Sequence, residues 1–242
     1  MSQAGGEGAA YAVEAHGVAK RFGRITALHH VDLDVPRGGV TALFGHNGAG
    51  KTTFLRIAAG LMRPTSGSLR VAGLDARKEQ AAIRGHLGVV SHELFLYGDL
   101  TALENLRFYG RLYRVADLEA RCAEVLTRVD LIHRANSRAR HFSRGMVQRL
   151  AIARAFLHRP DILLLDEPYT GLDQRAVATL NELIEGFREA HHTVLLTTHD
   201  HHLGFTMATD IAILRRGEVI HHTPAAALSR TEFDALYEAS LQ

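Results

Sequence analysis

Apolar and polar residues alternate through much of residues 12–35, most clearly in Val31-Asp32-Leu33-Asp34-Val35. A period of two is typical of half-buried strands, so this stretch is predicted to form β-structure. The continuous apolar run 40–44 predicts a strand that is buried on both faces. Glycine and proline residues divide the chain that follows, which predicts a glycine-rich loop from Gly45, a helix over 52–62 and a strand over 68–73.

The second half of the chain alternates between helical and strand patterns. Residues from about 100 to 157 are predicted to be mostly helical, with a capping box at Thr101-x-x-Glu104 and a new helix starting at Ser143. The elements predicted beyond them are a continuous apolar strand over 161–165, a helix over 174–190, a β-branched strand over 193–197 and a hairpin joining 211–214 to 218–220. Strands that alternate with helices predict an α/β fold with a mainly parallel core sheet and an antiparallel β region at the N-terminus.

Composition narrows the class of protein without naming a partner. The 242 residues are 46% hydrophobic and suit one large domain, or one domain with an appended lobe. The net charge of +2 argues against a non-specific basic nucleic-acid binder. The single Cys122 excludes a disulfide framework and fits a reducing compartment. No apolar stretch approaches the roughly 18 residues that a transmembrane helix needs, so a soluble chain is expected. Sixteen histidines leave a metal site open at this point.

The loop after the buried strand carries the strongest chemical signal. Gly45-His46-Asn47-Gly48-Ala49-Gly50-Lys51-Thr52 fits the phosphate-binding pattern G-x-x-x-x-G-K-[S/T], and Thr53 continues it into the predicted helix. In such a loop the glycines let backbone N–H groups converge on phosphate oxygens, and the helix N-terminus adds partial positive charge. Lys51 reaches the terminal phosphates, and the Thr52 hydroxyl can ligate Mg²⁺. The alternative is a chance glycine turn, which the strand-loop-helix context disfavours.

Two carboxylates end the later apolar strand, in Leu163-Leu164-Leu165-Asp166-Glu167. The carboxyl ends of parallel strands form the ligand-binding edge of a sheet, so both acids are expected to face the phosphates held by Lys51. Asp166 is then the candidate Mg²⁺ ligand, and Glu167 is the candidate that polarises an attacking water. On its own, the same pattern is more often a strand end that meets solvent.

Taken in chain order, these motifs resemble the ATP-binding cassette (ABC) ATPase family. The resemblance covers about residues 12–222 and rests on the phosphate loop together with Phe142-Ser143-Arg144-Gly145-Met146-Val147-Gln148-Arg149, Leu163-Leu164-Leu165-Asp166-Glu167-Pro168, Thr170-Gly171-Leu172-Asp173 and Thr198-His199-Asp200. It implies a P-loop NTPase fold in which residues 10–242 form one ABC ATPase domain after a disordered lead-in at 1–9. A helical subdomain at about 93–158 would be inserted in the catalytic core.

The resemblance also implies roles for individual residues. Phe22 is expected to stack on the adenine ring of ATP, although an ordinary strand aromatic is the alternative. His199 is expected to contact the γ-phosphate and, with Glu167, to position the attacking water. Asp173 lies in the loop that crosses the interface of a head-to-tail homodimer, or of a paired cassette. The signature motif, which contacts the ATP held by the other subunit, comprises Ser143, Arg144, Gly145 and Met146. Without that context, Ser143 is an ordinary helix N-cap.

Three positions depart from the family pattern. His92 stands where the family usually has a glutamine that senses Mg²⁺ and couples to the membrane partner. An imidazole is bulkier and titrates near neutrality, so His92 is assigned to the coupling loop rather than to the metal. In the signature, Arg144 replaces the usual glycine and Met146 the usual glutamine, which predicts a weaker but functional motif.

The function implied by the resemblance is that of an ATP-hydrolysing motor subunit with ATP and Mg²⁺ as cofactors. It would power export through a separate membrane permease, bind no nucleic acid, and lie on the inner, cytoplasmic face of the plasma membrane. Residues 100–109 and 142–146 resemble haem exporters of the cytochrome c maturation type and also exporters of drugs or lipids, which leaves the cargo open.

Two other functions remain as alternatives. A soluble ABC ATPase acting on ribosomes or DNA is disfavoured by the single cassette and the near-neutral charge. A catalytically silent regulator is disfavoured by the presence of both Glu167 and His199.

Overall fold

The long alternating stretch at the N-terminus folds into a hairpin. In the computed structural model, which describes residues 10–91, 95–172 and 174–240, strands β1 (Tyr11–Phe22) and β2 (Ile25–Pro36) pair antiparallel. The chain reverses at Gly23, whose φ of 58° lies in the left-handed region that glycine adopts without strain. Apolar positions such as Val13 and Val31 are buried, so the predicted N-terminal β region is confirmed.

The remaining elements are mostly short. The other strands are β3 (Val40–Phe44), β4 (Ser66–Val71), β5 (Leu74–Asp75), β6 (Leu87–Val90), β7 (Ile162–Asp166), β8 (Thr193–Thr198), β9 (Asp210–Arg215) and β10 (Glu218–Pro224). The α-helices are α1 (Lys51–Ala58), α2 (Gln80–His86), α3 (Ala102–Leu112), α4 (Leu118–Arg128), α5 (Arg144–Phe156), α6 (Gln174–Glu189), α7 (His201–Met207) and α8 (Arg230–Ser240).

Parallel strands form one side of the sheet, in the order β6-β7-β8-β3-β9 with β6 at the edge. The predicted C-terminal hairpin of β9 and β10 is confirmed, and β10 also meets β2, which joins the core to the antiparallel part β5-β4-β1-β2. The predicted α/β fold is thereby confirmed. Because β3, β7 and β8 run in the same direction, their last residues Phe44, Asp166 and Thr198 lie at one edge of the sheet.

The parallel strands separate two hydrophobic cores, which explains their continuous apolar runs. Leu163 and Leu165 of β7 pack on one side in the same core as residues of α3 and α5, whereas Leu164 packs on the other side with residues of α1 and the N-terminal strands. Successive side chains of a strand point to opposite faces, so a strand between two cores is apolar at every position.

Both helix starts predicted in the middle of the chain are confirmed. At α3, the Thr101 hydroxyl accepts a hydrogen bond from the Glu104 N–H at 3.1 Å, and the Glu104 carboxylate accepts one from the Thr101 N–H at 2.7 Å. At α5, the Ser143 hydroxyl accepts from the Met146 N–H at 3.3 Å. Helices α3, α4 and α5 fall within the lobe predicted at about 93–158, whose status as a separate subdomain stays a prediction.

Helix α8 covers the carboxyl end of β3. The Phe233 ring is fully buried, and its centroid lies 4.8 Å from that of Phe44. The Tyr237 ring lies 6.1 Å from Phe44 and 5.5 Å from His201 at the start of α7. Phe44 is the last strand residue before the glycine-rich loop, so α7 and α8 form an aromatic backing for that loop.

The observed helices differ from the prediction in two respects. Helix α1 ends at Ala58 rather than near residue 62, because the chain turns at Gly60, which has a left-handed φ of 66°. Helices α2, α7 and α8 had no counterpart in the sequence prediction. Within the described ranges, no helix combines the length and apolar character needed to cross a membrane.

Candidate active site

The phosphate loop lies where the sequence predicts, between β3 and α1 at the carboxyl edge of the sheet. Gly45, Gly48 and Gly50 have φ values of 156°, 84° and 111°. A Cβ atom on Gly45 would lie 2.4 Å from the Leu214 carbonyl oxygen, and one on Gly50 would lie 2.7 Å from the Ala27 carbonyl oxygen. Gly45 and Gly50 are therefore required by the close approach of neighbouring backbone as well as by their conformation.

Lys51 folds back along the phosphate loop and is 6% exposed. Its Nζ donates hydrogen bonds to the carbonyl oxygens of Gly45, at 2.7 Å, and His46, at 3.3 Å. The same atom lies 3.2 Å from Oε1 of Glu167. The buried ammonium is thus both paired and hydrogen-bonded, as a buried charge requires. A pocket of about 190 Å³ at this point is lined by Ala27, His46, Asn47, Gly48, Gly50, Lys51, Thr52, Thr53 and Glu167.

Asp166, at the end of β7, accepts hydrogen bonds from two hydroxyl groups. Thr52 Oγ1 donates to its Oδ1 at 3.0 Å, and Thr197 Oγ1 donates to the same oxygen at 2.7 Å. Asp166 is 3% exposed. Carboxylate and hydroxyl oxygens are hard donors of the kind that Mg²⁺ prefers. The donor set formed by Thr52 and Asp166 therefore fits the metal that the sequence assigns to them.

Glu167 lies between a lysine and a histidine. Its Oε1 forms the ion pair with Lys51 Nζ, but among the described residues it accepts no hydrogen bond. Its Oε2 accepts a hydrogen bond from the His199 backbone N–H at 3.2 Å and lies 2.7 Å from Nδ1 of the His199 ring. The Glu167 carboxylate can therefore take a proton from a water that attacks a phosphate held at Lys51.

The backbone of Glu167 is also constrained. Its φ of 51° is left-handed, a conformation that costs a residue other than glycine about 1–3 kcal/mol. The Glu167 N–H donates to the Thr197 carbonyl oxygen at 3.0 Å and lies 3.1 Å from the Thr197 hydroxyl. Strain of this kind is typical of functional positions and persists because surrounding contacts hold it.

Thr197 is the site residue that the sequence analysis missed. Its hydroxyl contacts both Asp166 and the Glu167 N–H, and the β7–β8 register places Thr197 directly opposite Asp166. The available signal was a hydroxyl residue at the end of a predicted strand. Its role depends on strand register, which the sequence does not give.

The signature residues lie at the N-terminus of α5, and none of the four lines the pocket at Lys51. Ser143 is exposed, and a Cβ on Gly145 would meet nothing within 4 Å. Arg144 lies over Gly171, where an added Cβ would be 2.6 Å from its guanidinium carbon. The helix start is thus open to an anion supplied from outside the chain's own pocket.

Of the three remaining predicted residues, the structure describes Phe22. His92 and Asp173 lie outside the described residues, so their roles stay predictions. Phe22 is 44% exposed at the end of β1, with the Lys20 ammonium 5.0 Å from its ring centroid.

We expect Phe22→Ala to weaken ATP binding about 2- to 10-fold, because an aromatic stack contributes about 0.5–1.5 kcal/mol. Isothermal titration calorimetry with ATP measures the change. Ile25→Ala is the matched control, since Ile25 is an exposed apolar residue of the same hairpin and should leave the affinity unchanged. A Phe22→Ala protein that binds ATP as tightly as the wild type would remove Phe22 from the adenine site.

Comparison with known proteins agrees with this geometry. Residues 28–170 match the family model described as ABC transporter. The ABC transporter ATP-binding protein NatA of Bacillus subtilis is 36% identical over 211 residues, which cover 86% of each chain. The daunorubicin resistance ATP-binding protein DrrA3 of Streptomyces coeruleorubidus is also 36% identical over 211 residues, covering 86% of this chain and 67% of that one.

A solved structure shows the same fold. It is a dimeric ATP-binding cassette in a post-hydrolysis state bound to ADP and Pi, with 30% sequence identity and a TM-score of 0.81 over 88% of this chain and 98% of that one. The chain belongs to the ABC transporter family. It is an ABC-type ATPase and the ATP-binding subunit of a transporter.

Proposed function

We propose that this ATPase powers the export of a drug or lipid through a separate membrane permease, and that Glu167 is the general base in ATP hydrolysis. The observation that carries the proposal is the position of the Glu167 carboxylate, with one oxygen 3.2 Å from Lys51 Nζ and the other 2.7 Å from His199 Nδ1. A phosphate bound by Lys51 then lies beside a general base.

Each residue of the site has a part in this reaction. The backbone N–H groups of 45–53 and the Lys51 ammonium bind the phosphates and stabilise the charge that develops during transfer. Thr52 and Asp166 would hold Mg²⁺, which would neutralise more of that charge when bound. Glu167 accepts the proton of the attacking water, and His199 fixes the orientation of the Glu167 carboxylate.

Hydrolysis is proposed to require a second cassette. Ser143 and Gly145 form an open helix N-terminus outside the Lys51 pocket, which suits contact with the γ-phosphate of ATP bound to another subunit. The solved cassette reported above is a dimer bound to ADP and Pi, and it supports a homodimer or a paired cassette here. Asp173 is proposed to lie in the loop that crosses this interface.

An aromatic patch is the proposed docking surface for the permease. It consists of Phe95, Tyr97, Phe108 and Leu112, which are 38%, 49%, 44% and 66% exposed. The Tyr97 and Phe108 rings meet edge to face at 5.0 Å, which joins α3 to the segment that precedes it. Large apolar side chains exposed as a group mark interaction surfaces. The coupling position His92 precedes this segment in the chain.

We expect the double variant Tyr97→Ser, Phe108→Ser to release the protein from the membranes of its own cells. The bound fraction should fall at least about tenfold, since interface aromatics often contribute about 2 kcal/mol each. Both side chains are exposed, so ATP hydrolysis by the purified protein should not change. Membrane sedimentation followed by immunoblotting measures the bound fraction.

Tyr11→Ser is the control, because Tyr11 is an exposed aromatic of the N-terminal hairpin. A double variant that sediments as the wild type does would rule out the patch as the docking surface. A wild-type protein that does not sediment with membranes would instead favour the alternative, an ABC ATPase without a permease. A peripheral position on the inner face of the plasma membrane is proposed on the same grounds.

The cargo class is proposed from the relatives. DrrA3 is named for daunorubicin resistance, which points to a drug as the cargo of that relative's transporter. The relatives reported above are not named as haem exporters, so the resemblance to that subgroup gains no support from them. A drug or lipid is therefore preferred over haem.

A further inference from the structure

Arg154 contacts the chain on both sides of residues 92–94. It lies in the last turn of α5, the helix that starts at the signature, and it is 8% exposed. Its Nη2 donates a hydrogen bond to the Val89 carbonyl oxygen at 2.6 Å. Its guanidinium carbon lies 5.6 Å from the ring centroid of Phe95 and 5.1 Å from that of Tyr109. One side chain thus joins β6, α3 and the segment before α3 to the signature helix.

The segment that begins at Phe95 is held as a unit. The Tyr109 hydroxyl donates to the Phe95 carbonyl oxygen, and Phe95 has a left-handed φ of 50° that persists only where its surroundings hold it. Asn105 of α3 accepts from the Tyr97 N–H at 2.8 Å and donates back to the Tyr97 carbonyl oxygen at 3.0 Å. Because Phe95 and Tyr97 belong to the aromatic patch, these contacts connect the patch to Arg154 through the Phe95 ring.

Arg154 is not explained by packing alone. Burial lowers the pKa of its guanidinium, yet arginine stays protonated in proteins. In the part of the chain that the structure describes, no carboxylate pairs with Arg154, and its Nε is buried without a hydrogen-bond partner. Burying a guanidinium carries a desolvation penalty, and an apolar side chain such as methionine fills similar space without that penalty. The two aromatic rings and the Val89 carbonyl offset part of the penalty.

We propose that Arg154 is a positioning residue that couples the permease-docking segment to the signature helix. Helix α5 transmits movement of Val89 and Phe95 to Ser143 and Gly145 at its other end. Guanidinium suits this task because its planar fork hydrogen-bonds a carbonyl while it stacks against aromatic rings, which a lysine does less well. The inference rests on the proposed function, since coupling matters only where a permease docks and ATP closes a dimer.

Hydrogen–deuterium exchange in the full chain tests the coupling without a permease. All proteins carry Glu167→Gln so that ATP stays bound, and exchange over 95–112 is compared with and without ATP. The compared proteins are the parent, Arg154→Met, Arg154→Lys and Arg149→Met. Arg149 is the matched control, because it lies on the same helix and donates to the carbonyl oxygens of Val129 and Asp130, at 3.0 and 3.2 Å, rather than to the docking segment.

The parent and Arg149→Met are expected to show ATP-dependent slowing of exchange over 95–112. In Arg154→Met this effect should shrink about fivefold, the size expected for one coupling residue, while ATP affinity stays the same. Arg154→Lys should restore part of it. The proposal is overturned if Arg154→Met keeps the full ATP effect, if it loses ATP affinity, or if ATP does not slow exchange in the dimeric parent.

A second variant keeps the test valid should Arg154→Met fail to fold. Tyr109→Phe removes only the hydroxyl that donates to the Phe95 carbonyl oxygen, and it should also reduce the ATP effect over 95–112. Full retention of the effect in that protein would count against the coupling. A parent that neither binds ATP nor dimerises would show instead that the proposed function has failed.

Discussion

Replacing Glu167 with glutamine is expected to abolish ATP turnover and to leave ATP trapped in a dimer. Glutamine keeps the shape of the side chain but cannot accept the proton of an attacking water. Loss of a general base lowers the rate by about a hundredfold or more. In the wild type, the Glu167 carboxylate also forms an ion pair with the Lys51 ammonium at 3.2 Å. Glutamine removes this competing charge, so ATP binding should be as tight as in the wild type or tighter.

Phosphate release measures turnover, and light scattering after size-exclusion chromatography measures the mass with and without Mg-ATP. Glu182→Gln is the matched control, because Glu182 is an exposed carboxylate on α6. This variant should hydrolyse ATP at the wild-type rate. Equal turnover in Glu167→Gln and the wild type would contradict the assignment. So would a variant that binds ATP yet stays monomeric.

The same Glu167→Gln substitution tests the cargo in the protein's own cells. Loss of resistance to drugs, or loss of an exported lipid, is expected. If the cells instead lose covalently attached haem from c-type cytochromes, haem is the cargo and the drug or lipid proposal is wrong.

Replacing Lys51 with alanine is expected to weaken ATP binding about 10- to 100-fold, because each charge-assisted hydrogen bond contributes about 1.5–3 kcal/mol. The substitution also leaves the Glu167 carboxylate beside the phosphates without its cation, which adds repulsion. Calorimetric titration with Mg-ATP measures the affinity. Lys78→Ala is the control, since Lys78 is an exposed lysine. This variant should bind ATP with wild-type affinity. Unchanged affinity in Lys51→Ala would refute the phosphate-loop assignment.

The parts of the site that are local in sequence could be predicted. The loop from Gly45 to Thr52 carries its glycines, lysine and hydroxyl within a few residues, and the buried strand before it identifies its place in the fold. Asp166 and Glu167 were predictable for a related reason, since a parallel sheet brings strand ends to one edge. The resemblance to ABC ATPases then placed His199 beside Glu167, where the structure has it.

The parts that depend on long-range geometry could not be predicted. Thr197 reaches Asp166 through strand register, and the left-handed backbone of Glu167 has no signature in sequence. Helix α7 is too short, and its sequence His-His-Leu-Gly-Phe-Thr-Met too irregular, to show a helical period. The position of Arg154 could not be predicted either, because an arginine late in a predicted helix gives no sign that it will be buried against two rings.

The aromatic backing of the phosphate loop has a consequence for synthesis of the protein on the ribosome. Phe44 emerges early, but Phe233, the ring that packs on it, is made almost at the end of the described chain. Domains form co-translationally only as far as the contacts they need have been translated. Before α8 has been made, the nascent chain already carries the phosphate-loop motif, but Phe44 lacks its contact with the Phe233 ring. The aromatic contact can therefore support the phosphate loop only after α8 has been synthesised.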